Sequence, residues 1–286
     1  MAADGTTRLR FDTVGYDRDG PVALIALNRP DKLNAINAQM VTELGAVLAQ
    51  AESDVSIKAI VVHGTGRAFS AGFDLETDWE PGNASSIRRE LKKDFDLIMR
   101  FWDSPKPTVA AVHKYCLGSA MELAVACDVT VSSDDCRFGA PEVRFGSGIV
   151  CLILPWLIGG KQAKELLLTG DDRISADRAF ALGLVNQVVP EGQQLDAAVK
   201  VAHRMALNDE HAVRLTKRAI NRSFEIMGFR QALREALQTD VEIELADTPE
   251  SREFNRILSE KGVKAAVLWR EERILGQTDP ETEEIA

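Results

Sequence analysis

Residues 108–131 read TVAAVHKYCLGSAMELAVACDVTV, and this stretch contains the pattern that decides the fold. Residues 108–112 are apolar and partly β-branched, which predicts a buried strand, and the segment from Gly118 to Cys127 predicts a loop followed by a short apolar helix. A second strand is predicted at residues 129–131. Strands that alternate with helices in this way are typical of crossover connections and of a largely parallel sheet.

The same alternation is found upstream of this stretch. Short apolar runs at residues 22–27 and 59–63 predict two more strands. A further helix is predicted over residues 87–102, before two prolines that would end it. Between the first two strands, apolar side chains recur at spacings of three and four, which predicts an amphipathic helix. These side chains are Ile36, Met40, Leu44, Val47, Leu48 and Ala51.

From about residue 195 onward only helices are predicted, over residues 197–206, 211–223, 229–245 and 251–258. We therefore expect an α/β core in residues 1–200 that carries the functional site, followed by a helical region in residues 201–286. Such a helical region could cover its own core or pack against another copy of the chain.

The composition of the 286-residue chain, with 45% apolar and 27% charged residues, is that of an ordinary globular protein. A net charge of −10 argues against nucleic acid as a partner. The longest nearly uncharged run, residues 115–127, is shorter than the ~20 residues that span a bilayer. Residues 1–10 lack the apolar run of a secretory signal. We therefore expect a soluble, cytoplasmic protein without a membrane partner.

The four cysteines lack the CxxC spacing of metal sites, and the four histidines lack paired ligand spacing. The sequence therefore predicts buried, reduced thiols and no metal site.

Two segments rich in small residues follow predicted strands. Residues 64–75 read GTGRAFSAGFDL, where glycines would let a ligand approach the backbone. Residues 118–124 read GSAMELA, where the first turn of a helix exposes unpaired N–H groups that suit an oxyanion. Tight connections without a ligand are the alternative. Neither segment has a P-loop lysine or a GxGxxG spacing, so a phosphate cradle of either kind is not indicated.

Glu122 is the only charged residue in residues 115–127. Burial of its carboxyl would raise its pKa toward the range useful for proton transfer. A buried ion pair with Arg137 or Arg144 is the alternative. Glu142 follows Pro141 in a predicted turn, and two glutamates on separate elements can act as acid and base if their side chains converge.

Taken together, the ordered motifs resemble the crotonase, or enoyl-CoA hydratase/isomerase, family over nearly the whole chain. The matching segments are residues 27–30 with Asn34 and Ala35, 68–75, 118–128, 138–143, 164–170 and 181–189. The resemblance implies an α/β fold built as a spiral of β-β-α units, with a helical C-terminal region that assembles homotrimers or homohexamers. It also implies an acyl-CoA thioester as the partner, with coenzyme A as part of the substrate and no separate cofactor.

By the same resemblance, the backbone N–H groups of Phe73 and Ser119 would form an oxyanion hole for the thioester carbonyl. Negative charge develops on that oxygen when water adds to a conjugated double bond, and two fixed donors stabilise it. Four further residues would line the site of the coenzyme A substrate, namely Ala71, Asp74, Leu75 and Gly118.

Glu122 and Glu142 lie where hydratases of this family have their two catalytic carboxylates. The resemblance thus implies hydration of a 2-enoyl-CoA to a 3-hydroxyacyl-CoA, with the two glutamates acting jointly as acid and base. Isomerisation, hydrolysis or lyase chemistry on the same enolate is the alternative, as is a non-catalytic acyl-CoA-binding protein. Val150 stands near the position of an acid used in dienoyl isomerisation, which disfavours that reaction.

The chain departs from the family pattern after Glu142. Hydratases usually continue into a glycine-rich stretch that shapes the water site, whereas residues 146–152 read GSGIVCL here. This difference predicts a more apolar pocket. It leaves the acyl chain length and the choice between hydration and isomerisation open.

Overall fold

A computed structural model of the chain describes residues 11–76 and 83–275. Residues 1–10, on which the prediction of no secretory signal rests, lie outside the described residues, as do the last eleven residues of the predicted helical region.

In the described residues the chain forms nine strands. They are β1 (Val14–Asp19), β2 (Val22–Leu27), β3 (Ala59–Gly64), β4 (Thr108–Val112), β5 (Tyr115–Leu117), β6 (Val129–Ser133), β7 (Arg137–Gly139), β8 (Ile174–Ser175) and β9 (Gln187–Val189). The predicted strands match β2, β3, β4 and the first part of β6, whereas the five others were not predicted.

The same residues form eleven α-helices. They are α1 (Ala38–Ser53), α2 (Ala84–Asp103), α3 (Ser119–Ala126), α4 (Leu154–Ile158), α5 (Gly160–Thr169), α6 (Ala176–Leu182), α7 (Gln194–Ala206), α8 (Glu210–Ile226), α9 (Phe229–Leu245), α10 (Pro249–Lys261) and α11 (Val263–Leu275). None of them combines the length and the apolar composition that a bilayer-spanning helix requires, as far as the structure describes them.

The strands form two sheets. The larger sheet has the order β1-β2-β3-β4-β6-β9, in which β1 is antiparallel to β2 and the other neighbours are parallel. The smaller sheet has the order β5-β7-β8. The chain passes from β4 to β5 to α3, then from β6 to β7, so consecutive strands alternate between the sheets. This arrangement is a spiral of β-β-α turns.

The two faces of the larger sheet are buried against different layers. On one face, Ile25, Ile60 and Val62 join the main core with α1, α2 and α3. On the other face, alternate residues such as Val61 and Val109 pack against α7. Because side chains alternate along a strand, a sheet covered on both faces has continuous apolar strands. The predicted stripe of α1 points into the main core.

The helical region begins at Gln194, and α7 crosses the predicted boundary at residue 200. Since α7 covers one face of the larger sheet, it belongs to the α/β core in packing terms. The division into residues 1–200 and 201–286 stays a prediction. The four cysteines are buried and free, which confirms the prediction of buried, reduced thiols.

An ion pair with a buried lysine connects α8 to the larger sheet. Lys217 Nζ lies 2.7 Å from Asp128 Oδ2 and also donates to the carbonyl oxygens of Phe101 and Lys106. Asp128 Oδ2 accepts the Thr108 N–H at 2.7 Å. The contact therefore joins α8 to the segments that precede β4 and β6.

We expect Lys217→Met to lower the free energy of unfolding by ~3 kcal/mol, because removal of one partner leaves a partly buried carboxylate uncompensated. Urea unfolding of the purified variant measures this loss. Arg218→Met, at the exposed neighbouring position on α8, is the matched control and should change the free energy by less than ~0.5 kcal/mol. Equal losses in the two variants would contradict the prediction.

Candidate active site

The segment after β3 runs beside β5 and presents one backbone amide. Ile36 N–H donates to Gly72 O at 2.8 Å, and Asp74 N–H donates to Ile36 O at 2.9 Å. In a parallel bridge of this kind, the residue between the two bonded groups directs its own N–H to the other side. The Phe73 N–H therefore points away from Ile36, and in the described part of the chain it has no acceptor.

A second free amide lies at the start of α3. Gly118 is the N-cap residue, with φ of 56°, and its N–H donates to Gly139 O at 2.7 Å. Met121 and Glu122 both donate to Gly118 O, which closes the first turn. The Ser119 N–H has no acceptor among the described residues, as expected for the first residue of a helix.

Gly72 brings these two amides together. It has φ of 95°, and a Cβ at this position would lie 2.8 Å from Leu117 O and 3.4 Å from Ser119 N. A side chain would push the two loops apart, whereas glycine permits both the conformation and the close approach. The amide of Phe73, which follows Gly72, therefore lies next to the amide of Ser119. This pair of N–H groups can receive a negatively charged oxygen.

Glu122 is a buried carboxyl on α3. Its side chain is 2% exposed, and Oε2 accepts a hydrogen bond from Cys151 N–H at 2.9 Å. Among the described residues it has no ion pair. Arg144 instead pairs with Asp172 at 3.1 Å and Glu271 at 3.7 Å. The structural ion pair considered as an alternative is thus wrong for Arg144.

Glu142 begins a short 3-10 helix, Glu142–Phe145, after Pro141. Its Oε1 packs against the Cα of Gly118, where any Cβ would overlap it. Its Oε2 is buried and has no hydrogen-bond partner in the part of the chain that the structure describes. The Glu142 carboxyl therefore lies against the N-cap of α3, one helical turn before Glu122.

The two glutamates share an environment that favours their protonated forms. Burial raises the pKa of Glu122 well above its ordinary value, and the neighbouring charges of Glu142 and Asp240 raise it further. Burial also raises the pKa of Glu142 to about 7. Because an ionised Glu142 disfavours ionisation of Glu122, the titrations of the two carboxyls are linked.

Sequence reasoning missed two carboxyls on α9. Asp240 is 2% exposed, and burial raises its pKa to about 8. Glu244, one turn later, accepts hydrogen bonds from Ser147 Oγ and from Gly148 N–H. A signal was available, because both acids fall on the apolar stripe of α9 that includes Leu233 and Val241. Acids on the buried face of a helix indicate a polar site.

The remaining predicted residues surround the two loops. Ala71 N–H donates to Leu33 O at 3.0 Å, which fixes the start of the loop. Asp74 forms an ion pair with Arg29 at 2.7 Å, so its carboxylate is already partnered. Leu75 packs against an apolar cluster of α10 and α11 that contains Phe254, Ile257 and Ala266. Their role in binding coenzyme A stays a prediction.

We expect the carboxyl of Glu142 to make stability depend on pH. Its folded pKa of about 7 lies above the ordinary 4.5, so the folded state holds the proton more tightly. This contribution is fully present below pH 4.5 and is lost as pH rises to about 7. Between pH 4.5 and 8, the free energy of unfolding of the unsubstituted chain should therefore fall by ~1–3 kcal/mol more than that of Glu142→Gln. Urea unfolding at both pH values measures this difference.

The exposed Glu242 on α9 provides the control for this prediction. Glu242→Gln should retain the full pH dependence of stability. If Glu142→Gln and Glu242→Gln gave the same dependence, the raised pKa of Glu142 would be wrong.

Comparisons of the sequence and of the structure with known proteins point to the same family. The sequence model described as enoyl-CoA hydratase/isomerase matches residues 17–263. The crystal structure of an enoyl-CoA hydratase/isomerase from Xanthobacter autotrophicus Py2 is 44% identical, with a TM-score of 0.89, over 92% of this chain and 99% of that one. A short-chain-enoyl-CoA hydratase from Clostridium acetobutylicum is 33% identical over 76% of this chain and 84% of its own length. A mevalonyl-coenzyme A hydratase from Aspergillus fumigatus is 33% identical over 74% of this chain and 78% of its own length.

Proposed function

The chain belongs to the enoyl-CoA hydratase/isomerase family, and from this premise we propose that it hydrates a 2-enoyl-CoA to a 3-hydroxyacyl-CoA. The observation that carries the proposal is the pair of carboxyls, Glu122 and Glu142, beside two unpaired amides. A hydratase needs both an acid and a base, and it needs donors for the charge that develops on the thioester oxygen.

In the proposed reaction, water attacks the β-carbon and one carboxylate takes a proton from that water. The electron pair of the double bond moves toward the carbonyl, which becomes an enolate oxygen. The N–H groups of Phe73 and Ser119 stabilise this oxygen; in comparable sites, one such donor contributes ~3–4 kcal/mol to the transition state. The other carboxyl then gives a proton to the α-carbon. Glu122 and Glu142 carry these two transfers jointly.

Coupled titration of the two carboxyls supports this assignment. Burial raises the pKa of Glu142 to about 7 and that of Glu122 well above its ordinary value, and repulsion between two carboxylates favours a state in which the pair keeps a proton. The form with one carboxylate and one carboxylic acid is the one that such a hydratase requires.

Purified protein and 2-enoyl-CoA substrates with four to sixteen carbons test the proposal. We expect loss of the conjugated-enoyl absorbance and formation of 3-hydroxyacyl-CoA, identified by mass spectrometry. The double variant Glu122→Gln, Glu142→Gln is the control and should be inactive. No hydration at any chain length would contradict the proposal, and conversion of 3-enoyl-CoA substrates alone would favour isomerisation instead.

We further propose that the chain assembles as a homotrimer or homohexamer. Ile220, Ile226 and Met227, on and just after α8, are more than half exposed, and contact with another copy would cover such side chains. Sedimentation equilibrium should give three or six times the chain mass of 31.4 kDa. A monomeric mass would contradict this proposal.

The acyl group is a separate question. The relatives named above differ in the acyl group that their names specify, a short-chain enoyl group in one and a mevalonyl group in another. Family membership therefore does not determine which acyl group this chain accepts. That choice depends on the residues around the two glutamates.

A further inference from the structure

Asp240 is a buried acid that the proposed reaction does not use. It lies on the inner face of α9 and is 2% exposed. Within the described ranges, neither of its carboxyl oxygens has a hydrogen-bond partner, and Oδ1 is fully buried. A buried polar group without a partner costs ~1–3 kcal/mol. A structural role would require a partner within the fold, so the absence of one points to a partner from outside.

The position of Asp240 links it to the two glutamates. Its Oδ1 packs against Gly148, where any Cβ would overlap the carboxyl. Gly148 belongs to the segment that leads from Glu142 to Cys151, whose amide holds Glu122. The charge of Asp240 acts on Glu122, and that of Glu142 acts on Asp240. Asp240 therefore lies on a different element from the two glutamates, against the segment that connects Glu142 to Cys151.

The segment around Gly148 is fixed to α9. Glu244 accepts hydrogen bonds from Ser147 Oγ and from Gly148 N–H at 3.3 Å. Because these bonds hold the segment one helical turn from Asp240, they keep Gly148 packed against its carboxyl. The carboxyl of Asp240 is thus held in place before any ligand binds, which lowers the cost of binding one.

The protonation state of Asp240 decides what it can bind. Burial, together with the charges of Glu244, Glu142 and Asp94, raises its pKa to about 8. At neutral pH it is mainly a neutral carboxylic acid, which has one donor and one free acceptor. This combination matches a hydroxyl group. An anionic group would instead be disfavoured, because every carboxyl of this cluster that ionises would repel it.

We propose that Asp240 is a specificity-determining residue that hydrogen-bonds a neutral hydroxyl on the acyl chain of the substrate, a role that rests on the proposed acyl-CoA function. A hydroxylated acyl group would satisfy the buried carboxyl. An unsubstituted alkyl chain would leave it unpaired and displace any water that could solvate it. A dicarboxylic acyl group would bind more weakly, because a charge near Asp240 would be repelled by Glu244, Glu142 or Asp94 whenever one of them ionises.

Binding of unreactive, saturated ligands tests this without turnover. Isothermal titration calorimetry would compare hexanoyl-CoA with 4-, 5- and 6-hydroxyhexanoyl-CoA and with the dicarboxylic adipoyl-CoA. We expect at least one hydroxylated ligand to bind about 5–10-fold more tightly than hexanoyl-CoA. Adipoyl-CoA should bind about 10-fold more weakly than hexanoyl-CoA. No preference for any hydroxylated ligand would overturn the proposal.

Two variants assign the preference to Asp240. In Asp240→Ala, the ratio of the hexanoyl-CoA and hydroxyhexanoyl-CoA dissociation constants should fall to within about 2-fold of unity. In Glu242→Ala, which removes an exposed acid of the same helix, the ratio should be unchanged. A full preference that survives Asp240→Ala would overturn the assignment.

Thermal unfolding separates this role from a structural one. Asp240→Asn keeps the shape of the side chain, and it should melt at the same temperature as the unsubstituted chain or higher, because no internal hydrogen bond is lost. A melting temperature lower by more than about 5 °C would show that the carboxyl holds the fold, and it would overturn the proposal.

The result is also distinguishable from failure of the proposed hydration. If the protein hydrated enoyl-CoA but bound all ligands equally, the role of Asp240 alone would be rejected. If it hydrated no enoyl-CoA yet preferred a hydroxylated ligand through Asp240, the proposed reaction alone would be rejected.

Discussion

Glu122→Gln is expected to lower kcat for hydration by ~10²–10⁴-fold, the range that general acid–base catalysis contributes. Glutamine has nearly the same shape as glutamate, and its amide oxygen can still accept the hydrogen bond from Cys151 N–H. It cannot transfer a proton at neutral pH. The fold should be preserved, since an uncharged amide is no harder to bury than a carboxyl whose pKa is already raised by burial.

Steady-state kinetics with one 2-enoyl-CoA measure the effect on kcat. Calorimetric binding of its saturated analogue measures the effect on affinity. The dissociation constant should change by less than about 3-fold, because the role proposed for Glu122 is in the chemical step rather than in binding. Glu242→Gln, at an exposed position on α9, should have unchanged kcat. A Glu122→Gln variant with full turnover would show that the proton is carried by another group.

The larger sheet could be predicted from the sequence because its parallel strands are buried on both faces. Residues of β2, β3 and β4 are apolar without interruption, and the stripe of α1 has clear helical spacing. These local patterns, together with the family resemblance, led to the α/β spiral. The chain has the α/β crotonase fold with two sheets and C-terminal helices, which confirms that prediction.

The smaller sheet could not be predicted in the same way. Its strands β5, β7 and β8 have two or three residues each, too few for a period to be visible. They form because distant segments pair, as Ser70 does with Cys116. This pairing sets the position of the loop that carries Phe73, so the geometry of the proposed oxyanion site depends on contacts that no local pattern reveals.

The carboxyl cluster shows a second limit of local patterns. Glu122 stands out in the sequence because it interrupts an apolar run, and Glu142 because it follows a proline in a predicted turn and fits the family motif. Asp240 and Glu244 lie about a hundred residues further along the chain, on α9. This helix was predicted from the spacing of its apolar residues, and its acids were not recognised as part of a site. Only the packing of α9 against the segment after Glu142 brings these four carboxyls together. Buried acids of this kind reduce stability, so a functional role accounts for them better than a structural one.

Gly118→Ala is expected to lower kcat/KM by ~10²-fold, because the new methyl group would occupy the position of Glu142 Oε1. The carboxyl must then move away from the start of α3, and a small displacement of a catalytic group can cost this much. The substitution also forces alanine to adopt φ of 56° and ψ of −132°, a sparsely populated conformation that costs ~1–3 kcal/mol of folding free energy. Gly183→Ala separates the two effects, since Gly183 has φ of 85° but a Cβ there would meet no atom within 4 Å beyond its chain neighbours. Both variants should lose stability in urea unfolding, Gly118→Ala more than Gly183→Ala because ψ of −132° lies outside the left-handed helical region, whereas only Gly118→Ala should lose activity. Equal kcat/KM values in the two variants would mean that the contact between Gly118 and Glu142 does not position the carboxyl for catalysis.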